Sequence, residues 1–166
     1  YDTNINEYVL YIRANIKLGV RHVLYTKSID LINWDVPELI KLDPEFNFDH
    51  DNLYYGGVYK YPDVKNKYIA FTPYFKNLIH DKEGLHRTYH DEGLLVMDSE
   101  NGKYWKIREK IFKSSENQDW SGHFKMPQVV GVIESPDKKE FWLYIHKDHL
   151  TNNSRLVRYT IDKDKL

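Results

Sequence analysis

Residues 48–75 read FDHDNLYYGGVYKYPDVKNKYIAFTPYF, and the rest of the chain is understood from this stretch. Leu53 to Tyr61 and Tyr68 to Thr72 are aromatic, β-branched runs separated by the turn-forming Pro62-Asp63-Val64-Lys65-Asn66, which predicts a hairpin. Gly56-Gly57 interrupts the first run and predicts a bulge or a close backbone approach. A polar cluster, Asp49-His50-Asp51, opens the stretch.

The same pattern recurs on both sides. Tyr8-Val-Leu-Tyr11-Ile aligns with Tyr68-Ile-Ala-Phe71-Thr and with Phe141-Trp-Leu-Tyr144-Ile, while Ser28 to Trp34 aligns with Ser99 to Trp105. Gly57-Val58 and Pro62-Asp63 align with Gly131-Val132 and Pro136-Asp137. Tyr8 to Arg13 and Arg21 to Thr26 predict one hairpin, with Glu38 to Leu42 as its outer strand; Pro37 and the shortness of the segment argue against a helix there. A polar loop is expected after Thr72 through Asp91, followed by a strand at Gly93 to Asp98, a turn at Ser99 to Trp105 with a strand after it through Phe112, and strands at Gln128 to Glu134, Phe141 to Ile145 and Arg155 to Ile161.

A degenerate repeat of roughly 60 to 70 residues, each with about four short strands, predicts an all-β chain built from propeller blades. A sandwich with evenly spaced strands is the alternative. The blade reading divides residues 1–166 into a blade remnant (1–45), a complete blade (46–115) and an incomplete blade (116–166). On this reading the chain is cut at both ends and leaves two open sheet edges, which predicts self-association.

Composition narrows the partners. Formal net charge is −1, from 24 basic and 25 acidic residues, so the broad positive field of a nucleic-acid binder is absent. No apolar run approaches the roughly 18 residues of a membrane span. Cysteine is absent, which removes disulfides and cysteine metal sites, and aromatic residues make up 15% of the chain. No Gly-rich phosphate loop or nucleophile elbow is present, and no cofactor is expected.

Several motifs resemble a known group. Tyr-x-Leu-Tyr-x-Arg13, Ser28-x-Asp30-Leu-x-Asn-Trp34, Asp51-x-x-Tyr54-Tyr55 before a Gly-containing strand, and Ser99 to Trp105 are similar to the five-bladed propellers of glycoside hydrolase families 32 and 43. The resemblance implies a partial five-bladed β-propeller of about two and a half four-stranded antiparallel blades, with a carbohydrate pocket on the axis. Hydrolysis in such a pocket needs two carboxyl groups flanking the scissile bond.

Strand alternation brings the start of each inner strand to the same rim as the loop joining the second strand to the third. That rim collects Asp49, His50, Asp51 and Tyr54; Arg13, Asn15 and Arg21; His86, Arg87, His90, Asp91 and Glu92; Trp120, His123, Lys125 and Gln128; and His146, Asp148 and Arg155. Asp51 stands where the family 32 resemblance implies an Arg-Asp-Pro motif whose Asp steadies the sugar, although here the residues are His50-Asp51-Asn52. As a plain turn-capping residue Asp51 would serve structure alone.

Lys125-Met126-Pro127 occupies the place of a Glu-Cys-Pro whose Glu is the family's general acid. An ammonium is a poor replacement, since it cannot afterwards act as a carboxylate base. Glu92, set by the repeat opposite Arg21 and Arg155, is the candidate displaced acid, and the resemblance puts the nucleophile before Tyr1. His86-x-x-x-His90 and His146-x-x-His149 lack a completing carboxylate, so no metal is expected. The two functional expectations are a glycoside hydrolase-like protein that binds or cleaves a glycan at the axial face, and a non-catalytic carbohydrate-binding or protein-interaction propeller.

Overall fold

The computed structural model describes residues 1–17, 20–47, 50–54, 57–61, 64–79, 87–112, 128–148 and 152–165, with 77–79 and 87–92 described as backbone. The chain is all-β, with curled, mainly antiparallel sheets, one of them a half-barrel. The strands are β1 (Tyr8–Lys17), β2 (Val20–Ser28), β3 (Glu38–Leu39), β4 (Lys41–Asp43), β5 (Asp51–Leu53), β6 (Gly57–Lys60), β7 (Tyr68–Ile79), β8 (Arg87–Ser99), β9 (Tyr104–Ile111), β10 (Gln128–Glu134), β11 (Glu140–Lys147) and β12 (Arg155–Asp162). The first sheet is β1-β2-β3 and the third is β10-β11-β12. The central sheet runs β4-β9-β8-β7-β5, with β6 also paired to β7. Among the described residues no helix is long and apolar enough to cross a membrane.

The central sheet is apolar on both faces because the runs Tyr68–Phe71 and Leu94–Met97 are continuously apolar, while successive side chains of a strand point to opposite faces. Tyr68, Ala70 and Tyr74 of β7, with Leu95 and Met97 of β8, pack with Val23 and Tyr25 of the first sheet. Ile69 and Phe71, with Leu94 and Val96, pack on the opposite side with Phe141, Leu143 and Ile145 of the third sheet. Two cores therefore separate three sheets, in chain order.

The aligned segments also share one hydrogen-bonding register. Gly57↔Phe71, Val58↔Ala70, Tyr59↔Ile69 and Lys60↔Tyr68 in β6/β7 correspond to Gly131↔Tyr144, Val132↔Leu143, Ile133↔Trp142 and Glu134↔Phe141 in β10/β11. Tyr8↔Ser28 in β1/β2 likewise corresponds to Tyr68↔Ser99 in β7/β8. A one-residue slip in any pair would turn its apolar set to the wrong face, so a common register is a stringent form of repetition.

The turns repeat atom for atom. Ser28 Oγ accepts from the N–H groups of Asp30 and Leu31, and Ser99 Oγ accepts from those of Asn101 and Gly102. Asp30 Oδ1 accepts from Ile32 and Asn33, as Asn101 Oδ1 does from Lys103 and Tyr104. These donors, the Asn33 N–H foremost, hold the Asp30 carboxyl well below the usual carboxylate range. Each Trp then donates its indole N–H into the turn, Trp34 to Leu31 O at 3.2 Å and Trp105 to Gly102 O at 2.9 Å.

Both turns need a left-handed residue at the same position, with φ of 72° at Gly102 and 64° at Leu31. Glycine is required at 102 for space as well, since a Cβ there would lie 2.5 Å from Tyr11 Oη. At 31 a leucine occupies the strained conformation. Leu31→Gly is expected to raise stability by about 0.5–1 kcal/mol in urea unfolding; a lower stability would show that the leucine side chain packs.

Two local readings differ from the structure. The segment expected to be one outer strand at Glu38 to Leu42 is split: Glu38 and Leu39 pair with β2, and Lys41–Asp43 then crosses to pair parallel with β9. The stretch expected to be a loop through Asp91 is largely strand, because the β7/β8 ladder continues from Lys76↔His90 to Ile79↔Arg87. Polar side chains do not prevent backbone pairing when both strands run on together.

Candidate functional site

The registers place the described members of the predicted rim at one end of all three sheets. Asn15↔Arg21 closes β1/β2, Asp51↔Lys76 opens β5/β7, and Gln128↔His146 opens β10/β11. Arg21, His50, Asp51 and Tyr54 meet where the first and central sheets touch.

Asp51 is 8% exposed. Its Oδ1 accepts from Tyr74 Oη at 3.0 Å and lies 3.2 Å from His50 Nδ1, while its Oδ2 accepts from the Asn47 N–H at 2.8 Å. Its own N–H donates to Asn47 O, so the carboxylate and backbone of Asp51 both bond to the backbone of Asn47. A buried carboxylate is tolerable only with such donors.

Asn52, fully buried, ties the sheets together. Its Oδ1 accepts from the Arg21 N–H at 2.9 Å and its amide donates to His50 O at 3.0 Å. The Arg21 guanidinium lies 5.4 Å from the Tyr54 ring centroid, and that ring packs against Phe75 at 5.6 Å. Among the described residues Arg21 Nε is buried without an acceptor, an exception of the kind that marks a place for water or a ligand. Behind this group, His22 meets Phe46 edge-on at 6.1 Å, and Phe46 meets Tyr74 at 5.3 Å. Burial pushes the His22 imidazole below its ordinary pKa, so it is held neutral.

The remaining candidates divide into four sets. Arg13 is exposed and donates from Nε to Asn15 Oδ1 at 3.0 Å, at the same end of the first sheet. The Gln128–His146 pair forms a separate group on the third sheet, where His146 Nε2 is 2.6 Å from Ser154 Oγ and Arg155 pairs with Asp148 at 2.8 Å. Arg87 and Glu92 lie within β8. Asp49, His86, Trp120, His123 and Lys125 lie outside the described residues, so the Lys125 substitution of the expected acid has no structural counterpart here.

A cleft of about 500 Å³ opens beside His22 and Phe46, walled by Leu39, Ile40, Leu42 and Tyr104. Another, of about 360 Å³, lies on the β4/β9 edge between Lys41, Asp43, Tyr104 and Arg108 and is lined by none of the Asp51 group. Among the described residues no three His, Cys, Asp or Glu side chains gather as a metal site. The parts of the Asp51 group that residue patterns missed are Asn52, Asn47 and His22. His22 is hidden in the strand run RHVLYT, and Asn52 carries no motif beyond following an Asp before a strand.

No protein-family model matches the chain, and no curated protein matches it either.

Proposed function

We propose that this chain is part of a β-propeller, and that the sheet end bearing Arg21, His50, Asp51 and Tyr54 binds a carbohydrate. The propeller reading rests on three sheets that follow one another in chain order, with a shared register in their aligned segments and a core between each successive pair. The motif resemblance to glycoside hydrolase families 32 and 43 supports the five-bladed form and the ligand class.

The observation that carries the carbohydrate reading is the Arg21–Tyr54 pair beside the anchored Asp51, with a buried guanidinium N–H still to be satisfied. Such a group offers an aromatic surface and directional donors, the two things sugar rings and hydroxyls need. Binding is favoured over hydrolysis by the state of Asp51, whose two oxygens are already engaged by Tyr74, His50 and Asn47. A general acid or base needs an oxygen within reach of the substrate.

A glycan array of the chain, repeated with Arg21→Ala, tests the reading. We expect a bound glycan whose affinity falls about tenfold in the variant, equivalent to ~1.4 kcal/mol. An array with no binding, or a glycan bound equally well by Arg21→Ala, refutes it. Release of an aryl aglycone from aryl glycosides would replace the binding reading with a hydrolytic one.

A further inference from the structure

We propose that the ligand of the Arg21 group is an acidic sugar, a hexuronate whose carboxylate is bound by the Arg21 guanidinium. The inference deepens the carbohydrate reading and rests on it.

A guanidinium stays charged in any protein, and withdrawing it from water is costly unless an anion or several acceptors replace the lost hydration. Two exposed arginines have such anions. Arg108 donates to both carboxylate oxygens of Asp98, at 2.6 and 2.7 Å, and Arg155 pairs with Asp148 at 2.8 Å. Arg21 is the reverse case. Among the described side chains it is the only arginine withdrawn from full exposure, and among the described residues it has no carboxylate partner. The Tyr54 ring, 5.4 Å from the guanidinium carbon, meets the charge but offers its N–H groups no oxygen.

A carboxylate in the same group is not used for this purpose. Asp51 spends its Oδ1 on Tyr74 and His50 and its Oδ2 on the Asn47 N–H. The site thus holds a guanidinium and a carboxylate without joining them, which leaves the guanidinium for a partner from outside.

Arg21 is also fixed in place. Its backbone N–H donates to the fully buried Asn52 at 2.9 Å, and Tyr54 is backed by Phe75. Fixing the residue in advance reduces the ordering cost of binding. Further cations stand at this end of the sheets: Arg13 bonds Asn15, the strand partner of Arg21; Lys76 faces Asp51; and Lys110 Nζ lies 4.8 Å from the Tyr74 ring centroid. The planar fork of an arginine matches a carboxylate through two parallel N–H···O bonds. On a sugar ring that group is the carboxylate of a hexuronate, and neutral sugars have no counterpart to it.

The test measures binding of an oligogalacturonate, its methyl ester and dextran sulfate by isothermal titration calorimetry. The acid should bind at least about tenfold more tightly than the ester, which keeps the rings and loses the charge. Arg21→Ala should bring the acid down to the level of the ester, and Arg21→Lys, which keeps the charge without the fork, should recover only part of the difference. Both variants keep the backbone bond to Asn52, and circular dichroism checks their fold.

Equal affinity for acid and ester, with both weakened by Arg21→Ala, would overturn the acidic-sugar inference and leave carbohydrate binding standing. No binding of any glycan would remove both. A preference for the acid that survives Arg21→Ala places the anion on other cations and overturns the inference as well. So would dextran sulfate bound as tightly as the oligogalacturonate, since general charge attraction would then replace the carboxylate fork.

Discussion

Trp105→Ala is expected to destabilise the protein by about 3–5 kcal/mol, the range for deleting a large buried aromatic side chain. Trp105 is 1% exposed and belongs to the core between the first and central sheets. It contacts the Tyr11 ring at 6.4 Å and pairs with Leu42 of β4 across the sheet edge. Its removal opens a cavity and withdraws the indole N–H from Gly102 O in the turn. Domains of this size are stable by only about 5–15 kcal/mol, so the loss is a large share.

Trp34→Ala is the internal control. It removes the same indole from the same turn geometry, but Trp34 is 37% exposed, and its loss should stay below about 1 kcal/mol. Urea midpoints for the pair measure the difference directly. Equal effects would mean that the repeat shapes the turn without assigning the two tryptophans different burial.

Asp51→Leu is expected to cost about 2–4 kcal/mol, because it keeps the volume and removes the acceptor of several donors at once. Tyr74 Oη and the Asn47 N–H would lose their partner, leaving the backbone bond from residue 51 to Asn47 O. Asp51→Asn separates this from a ligand effect. The amide oxygen can still accept from Tyr74, so most of the stability should return, to within about 1–2 kcal/mol of the unmodified chain. Should Asp51→Leu unfold at the same urea concentration as the unmodified chain, the hydrogen-bonded anchoring of Asp51 would be refuted.

These two residues also show what the amino-acid sequence made legible. The hairpins are readable because aromatic and β-branched runs alternate with Gly, Pro, Asn and Asp turns, and the aligned Ser and Trp positions mark equivalent turns. The crossing of β4 was not readable. It is three residues long and pairs in parallel with a strand more than sixty positions away, so no local pattern announces it.

The site divides in the same manner. Asp51, His50, Arg21 and Tyr54 could be gathered by strand alternation alone. The bonds that decide what Asp51 does run to Tyr74 and Asn47, and side-chain pairing across a fold leaves no trace in spacing. Asp51 therefore reads in the sequence as a candidate for chemistry, and in three dimensions as an anchor bonded to Asn47 and Tyr74.

The crossing segment has a mechanical consequence. Ile40 donates its N–H to Val23 O in the first sheet, and the next residue, Lys41, donates to Lys103 O at the edge of the central sheet. One unbroken backbone is thus stitched into both sheets within two residues, and peeling them apart would break both ladders together. Among the described residues the third sheet is not stitched in this way; it meets the central sheet through side chains. Hydrogen exchange is therefore expected to show the third sheet opening as one unit before the first two, which should be lost together.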